Sequence, residues 1–240
     1  MQGPETSRPG KWQPTVRTGH FRRRVIIGLL VLLFLFVILL DGGFSWLFGA
    51  MGIGLDRSAR EEVIATHDTQ SELAGELSSY LNMLYAPDGV SFKGFKNTIQ
   101  MLRNHREALL VYLVQSDYGY YSGNSDLIAE AEKDVKGLTP VSCVPAKDLA
   151  NLVYERFGGN YAVTHRSTDR FSYLSKSRMY VTSYQTQMQT YDITVQSLTE
   201  TANYYILVAT ARNGSASCSY RLTFAKREEG PPYLLTLRSN

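Results

Sequence analysis

The chain is short of the residues that carry chemistry. Two cysteines and four histidines occur in 240 residues, and His20, His67, His105 and His165 are scattered. With no i, i+4 histidine pair and no C-x-x-C spacing, the pattern implies no metal. There is no G-x-S-x-G elbow and no phosphate loop, since Gly49, Gly52 and Gly54 follow an apolar run rather than join a strand to a helix. No cofactor is therefore implied. Positive charge is also scarce where a nucleic-acid reader needs it. Residues 1–24 hold six basic residues (Arg8, Lys11, Arg17, Arg22, Arg23, Arg24) against Glu5, while the other 216 hold 19 basic and 21 acidic ones. A protein that neutralises phosphates concentrates base on its folded part, so nucleic acid is set aside as a partner.

What the chain does have is one long apolar run. Val25 to Leu40 is unbroken over 16 residues, about 24 Å as a helix at about 1.5 Å per residue. Phe21 on one side and Phe44, Trp46, Leu47 and Phe48 on the other extend it toward the roughly 30 Å of a bilayer core, with Trp46 at the interface. Arg22, Arg23 and Arg24 abut its start, whereas Arg57 and Arg60 are the basic residues that follow it closely, so the positive-inside bias puts the N-terminus in the cytoplasm. Ala50-Met51-Gly52 has the form of a signal-peptidase site, but the run is longer than a typical h-region and the site lies far beyond it. A retained anchor is expected. The organisation read from this is a cytoplasmic tail over 1–24, a transmembrane segment over 25–48, a flexible linker over 49–57 and an extracytoplasmic or periplasmic domain over 58–240. The protein would sit in the inner (plasma) membrane as a single-pass component.

In the outer domain the expected class is α+β: helices over 58–157, then a four- to five-stranded antiparallel sheet over 178–240. Ser58 with Glu61 has the form of a capping box that starts a helix. Leu73, Leu77, Tyr80, Leu81 and Leu84 share one face of that helix until Pro87-Asp88-Gly89 turns the chain. Phe95, Ile99 and Leu102 mark a second helical stretch that continues or breaks near Asn104. Residues 108–115 are apolar almost all round, which predicts burial. Gly119 and Gly123 end that region, and Ser125 caps a polar helix to Lys136. Pro145 precedes a helix that lines up Leu149, Leu152, Val153 and Phe157 before Gly158.

From Arg178 the period changes to alternation. Tyr191, Ile193 and Val195 alternate with polar residues, and Asn203 to Arg212 runs into Asn213-Gly214, a strong hairpin signal. A turn on those two residues pairs Arg212 with Ser215 and sets Cys218, Tyr220 and Leu222 opposite Ala209, Leu207 and Tyr205. Tyr233, Leu235 and Leu237 form the last strand after Gly230-Pro231-Pro232. Asn213-Gly214-Ser215 also matches a glycosylation sequon, which the tight turn explains more simply.

Cys143 and Cys218 both fall in the exported part, where an oxidising compartment favours pairing. A bond would close a loop of about 76 residues and stabilise by roughly 4 to 5 kcal/mol in the chain-entropy view. The other reading is two separate buried thiols, because free cysteine packs as a small hydrophobe.

Two resemblances bear on function. The stretch from Gly158 through His165 to Arg166, followed by Phe171, Leu174, Cys218 and Arg227, resembles sortase transpeptidases, membrane-anchored enzymes that use a His, a Cys and an Arg. It implies Cys218 as nucleophile with His165 and Arg227 beside it. The sortase T-L-x-T-C motif is replaced here by Ser215-Ala216-Ser217-Cys218, and helical patterns occupy the region where sortases have strands. The overall plan of stub, single anchor, helices and then a curved sheet is similar to inner-membrane assembly subunits of type IV secretion systems, whose periplasmic domains have a nuclear-transport-factor-like fold. That likeness implies a non-catalytic docking or assembly component of a cell-envelope complex, binding protein partners or itself. It also allows a small ligand in the concavity between sheet and helices, in which case an apolar, tyrosine-lined cavity is expected. Tyr118, Tyr120, Tyr121, Tyr204 and Tyr205 are either part of a contact surface or ordinary half-buried positions.

Overall fold

The computed structural model describes residues 61–84, 90–137, 139–158, 163–187 and 190–239, all within one compact unit, Gly52–Asn240. The tail, the apolar segment, the linker, Arg22, Arg23, Arg24, Trp46 and the turn at 87–89 lie outside the described residues. Among those that are described, no helix is long and apolar enough to cross a membrane.

The fold is α+β. Its main sheet has five antiparallel strands in the order β1 (Ala65–His67), β5 (Asp192–Glu200), β6 (Tyr204–Asn213), β7 (Ala216–Ala225) and β8 (Tyr233–Ser239). A second sheet of three strands, β2 (Ser142–Pro145), β4 (Met179–Thr182) and β3 (Ser172–Leu174), has β4 in the middle. The helices are α1 (Glu72–Ser78) with a 3-10 turn over Ser79–Met83, α2 (Thr98–Ser116), the short α3 (Tyr118–Tyr121), α4 (Ser125–Glu132) and α5 (Ala146–Phe157).

Aromatic side chains fill the space between helices and main sheet. Tyr80, Phe95, Phe157, Tyr220 and Phe224 are each at most 1% exposed. The Tyr80 ring meets Phe224 edge-on at 5.1 Å and Phe157 at 6.3 Å, and its hydroxyl donates to Pro232 O at 2.9 Å. Edge-to-face contacts favour one arrangement of rings beyond the burial of area, which makes this core directional as well as apolar. On α5 the expected stripe Leu149, Leu152, Val153 and Phe157 is buried. The helix ends at Gly158 with φ 63° and ψ 161°, a backbone region open in practice to glycine alone. A methyl group there would also overlap the Tyr233 ring.

Several expectations are corrected. No helix starts at Glu61: the carboxylate accepts from the backbone and side-chain amides of Asn203, and the chain adds β1 to the edge of β5, Ile64 N donating to Glu200 O. The extended preference of Val63 and Ile64 outweighs a capping pattern. The helix begins at Glu72 instead, where the Ser71 hydroxyl accepts from Ala74 N. Of the two readings at Asn104, continuation holds: α2 runs unbroken from its Asn97 cap, and the Asn104 amide donates to Gly94 O. The cap of α4 is Asn124 rather than Ser125, and that helix stops at Glu132, short of Lys136. The helical half also contains a strand, β2, so the alternation beginning at Arg178 starts in the small sheet and moves to the main sheet only at β5.

Within the main sheet, the hairpin turn falls on Gly214-Ser215. Asn213 pairs with Ala216 and Arg212 with Ser217, so Ala209, Leu207 and Tyr205 face Tyr220, Leu222 and Phe224. Gly214 has φ 58° while Ser215 stays outside the positive region, the pattern of a II′ turn with glycine first. The shift moves every partner by two residues, so the faces stay as expected and Tyr220 and Leu222 remain fully buried. Two bulges break the alternation elsewhere. One lies between Val195 and Ser197 on β5 and restores an inward Leu198; the other, opposite Thr223 and Phe224, turns Leu234 rather than Leu235 into the core.

Candidate functional site

The residues of the sortase-like reading are not brought together. His165 stacks on Tyr173 with ring centroids 5.2 Å apart and is hydrogen-bonded through Nδ1 to the Tyr180 hydroxyl at 3.1 Å, beside the small sheet. Arg227 lies over the rings of Tyr233 (5.0 Å) and Tyr154 (5.6 Å) and donates to Tyr154 O and Glu155 O. It closes the C-terminal end of α5, where a helix leaves carbonyls unpaired and favours a cation. Cys218 is half-buried on β7, paired in register with Ala211. None of the three is the partner of another in these contacts, so the Cys-His-Arg constellation has no geometric basis here. The Cys143–Cys218 bond is not made either: both are free thiols. Cys143 packs with Ala131, Met179 and Val181 under the small sheet, whereas Cys218 packs at the margin of the main core. Burial alone pushes the Cys143 thiol up to about 11, which keeps it protonated and unreactive near neutral pH.

The tyrosines divide. Tyr118 and Tyr120 are exposed, Tyr121 is buried and donates to Asp148, and Tyr204 and Tyr205 are half-buried on β6.

Among the described residues, a concave feature that gathers polar chemistry is a basic cleft beside the first half of α2. Thr98, Ile99, Leu102, Arg103 and Arg106 face it from the helix, and Thr164 and Arg166 face it from the segment before β3. This part has a volume of about 150 Å³. An adjoining part of about 460 Å³ shares Leu102, Arg103, Arg106 and Arg166 and extends to Lys93, His105, Glu107 and Asp169. The helical repeat explains the first group, since positions 99, 102, 103 and 106 recur at spacings of three and four on one side of α2. Asn97 holds the start of that helix by accepting from Gln100 N.

Arg106 is the unusual member. Its residue is 6% exposed, one Nη2 donates to Thr164 O at 2.6 Å, and its buried Nε finds no partner among the described residues. Burial is the main cause that lowers its pKa; Tyr180 pulls it up and Arg166 pulls it down by less. The guanidinium nevertheless stays charged at any physiological pH. The nearest acid on the same helix, Glu107, is held by Arg170, accepting from its backbone N at 3.0 Å with Nε at 3.5 Å. Burial, with Arg106 and Arg178 adding to it, also lowers the pKa of His165 and keeps that ring neutral. His105 is held in the same way, burial lowering its pKa, while Nε2 donates to Lys93 O at 2.5 Å.

Sequence reading missed Arg103 and Arg106. A signal was present: Arg106 interrupts the apolar row Leu102, Leu109 and Leu110 on what proves to be the buried side of α2. Leaving open whether the helix breaks near Asn104 kept the stripe from being read as one. The segment singled out for its likeness to sortases does reach this cleft, but through Thr164 and Arg166 rather than His165.

Compared with family models, with curated proteins and with solved structures, the chain matches none of them.

Proposed function

We propose that residues 58–240 form a non-catalytic docking module of a cell-envelope complex, held at the outer face of the inner membrane by the 25–48 segment and assembling with protein partners or with itself. The observation that carries this reading is the filled space between helices and main sheet. Tyr80, Phe95, Phe157 and Phe224 occupy it at an exposure of 1% or less, where a ligand-holding domain of this plan would keep a concavity. Tyr118, Tyr120, Tyr154 and Tyr184, between 42% and 62% exposed, supply the aromatic area that protein contacts favour. A second reading, binding of a small ligand, is supported by the Arg106 cleft and is developed below.

The test is site-specific photo-crosslinking of the full-length protein in intact cells from Tyr118, Tyr120, Tyr154 and Tyr184. Discrete products from a subset of these positions, lost when a lysine is placed beside the reactive one, are expected. Absence of products at all four positions overturns the reading.

A further inference from the structure

A buried cation with an unused donor costs free energy. Removing a guanidinium from water is expensive unless its donors are met, and each unmet donor adds to that cost. Arg106 carries this cost while lining a cleft: Nη2 is on the Thr164 carbonyl and Nε is unpaired but closed to solvent, so any contact with a ligand falls to the Nη groups. Arg103 and Arg166 line the same space, together with Thr98, whose hydroxyl donates to Phe157 O and Gly158 O, and Thr164. Of the acids nearby, Glu107 is engaged by Arg170, and Asp169 lines the adjoining part rather than this one. Arginine donors in a planar fork match two oxygens of one anionic group. Ile99 and Leu102 add an apolar wall, which an organic acid uses and a fully hydrated inorganic anion does not.

We propose that this cleft is a binding site for the carboxylate of an organic acid, with Arg106 as its buried anchor, Arg103 and Arg166 as outer cations, and Ile99 and Leu102 against the carbon chain. The carboxylate comes from a free short-chain acid or from the C-terminus of a peptide, and both present the same chemistry to the arginines. The inference goes beyond the docking reading, and only the peptide source connects the two.

The test is ligand-observed NMR on the full-length protein in detergent, using pentanoate, its neutral amide pentanamide, inorganic phosphate, and one short peptide with a free and with an amidated C-terminus. Pentanoate is expected to bind, and pentanamide to bind at least about tenfold more weakly, as the loss of a charge-assisted pair implies. Arg106→Gln should abolish the pentanoate signal. Because that change touches a buried group, the exposed pair Arg103→Gln with Arg166→Gln is measured beside it and should weaken binding by about tenfold or more. Binding of the free but not the amidated peptide assigns the source to a protein terminus; binding of pentanoate with equal indifference to both peptides assigns it to a free acid. No pentanoate binding at millimolar concentration overturns the proposal. So does binding that survives in the double variant, which would trace the signal to the basic tail, or phosphate binding more tightly than pentanoate. Crosslinking from the tyrosine positions is read separately, so failure of the carboxylate site and failure of the docking module are distinguishable.

Discussion

Cys143 and Cys218 differ in surroundings although both are thiols. Cys143 is 1% exposed and burial raises its pKa, whereas Cys218 is half-buried on β7. Alkylation of the native protein without reductant should modify Cys218 and spare Cys143 until the chain is unfolded, with mass spectrometry of peptides as the readout. Failure to label Cys218 before reduction would mean that it is bonded. At Gly158, alanine meets both the Tyr233 ring and a backbone conformation reserved for glycine. The expected loss is about 3 kcal/mol, seen as a lower denaturant midpoint. His105 makes a pH prediction. Its folded pKa is depressed by burial, so the unfolded chain binds the proton more readily; stability is full above the unfolded value of about 6.5 and is lost as pH falls below it. The melting temperature should drop between about pH 7.5 and about pH 5.5, and His105→Gln should reduce that drop. His165, depressed for the same reason, accounts for part of what is left.

Among elements, the β6–β7 hairpin takes the Gly214-Ser215 turn over the Asn213-Gly214 turn that the sequence favours. With Gly214 first in the turn at φ 58°, Gly214→Ala should destabilise by about 1 to 2 kcal/mol through left-handed backbone strain. Asn213→Ala, on the strand and exposed, should stay within about 0.5 kcal/mol. The opposite order in a thermal melt would restore the Asn213-Gly214 turn. The faces of these strands were readable because a two-residue shift preserves alternation, whereas the partners were not, because both turns close a two-residue loop. At the other margin of the sheet, β1 is pinned by side chains rather than by length. His67 Nε2 donates to Glu200 Oε2 at 2.7 Å, Lys226 Nζ donates to Oε1 at 2.5 Å, and Lys226 lies over the Tyr205 ring at 4.9 Å. No local pattern around His67 announces a three-residue strand, since its partner Glu200 lies 133 residues away.

For the whole molecule, export of the folded domain has a direct check that uses Cys218. A membrane-impermeant maleimide added to intact cells, with the outer envelope permeabilised, should label Cys218 of the full-length protein. Labelling only after the inner membrane is lysed would reverse the orientation inferred from Arg22, Arg23 and Arg24. This check follows from the half-exposed state of one thiol on β7 and from charge placement around one apolar run.

The class of the domain, the stripe of α5, the buried middle of α2 and the inward faces of β6 and β7 were set by the chain alone. Each depends on a local period of 3.6 or 2, which a contiguous stretch of residues carries without reference to the rest. The division of the strands into two sheets, the bulges that turn Leu198 and Leu234 inward, the addition of β1 and the separation of Cys218, His165 and Arg227 were decided by tertiary structure. So was the basic cleft, because Arg103 and Arg106 become a site only where the chain returns some 60 residues later with Thr164 and Arg166. A lone arginine on a helix carries no sign of its partner in the sequence; its burial, and the engagement of Glu107 by Arg170, arise only when distant segments pack.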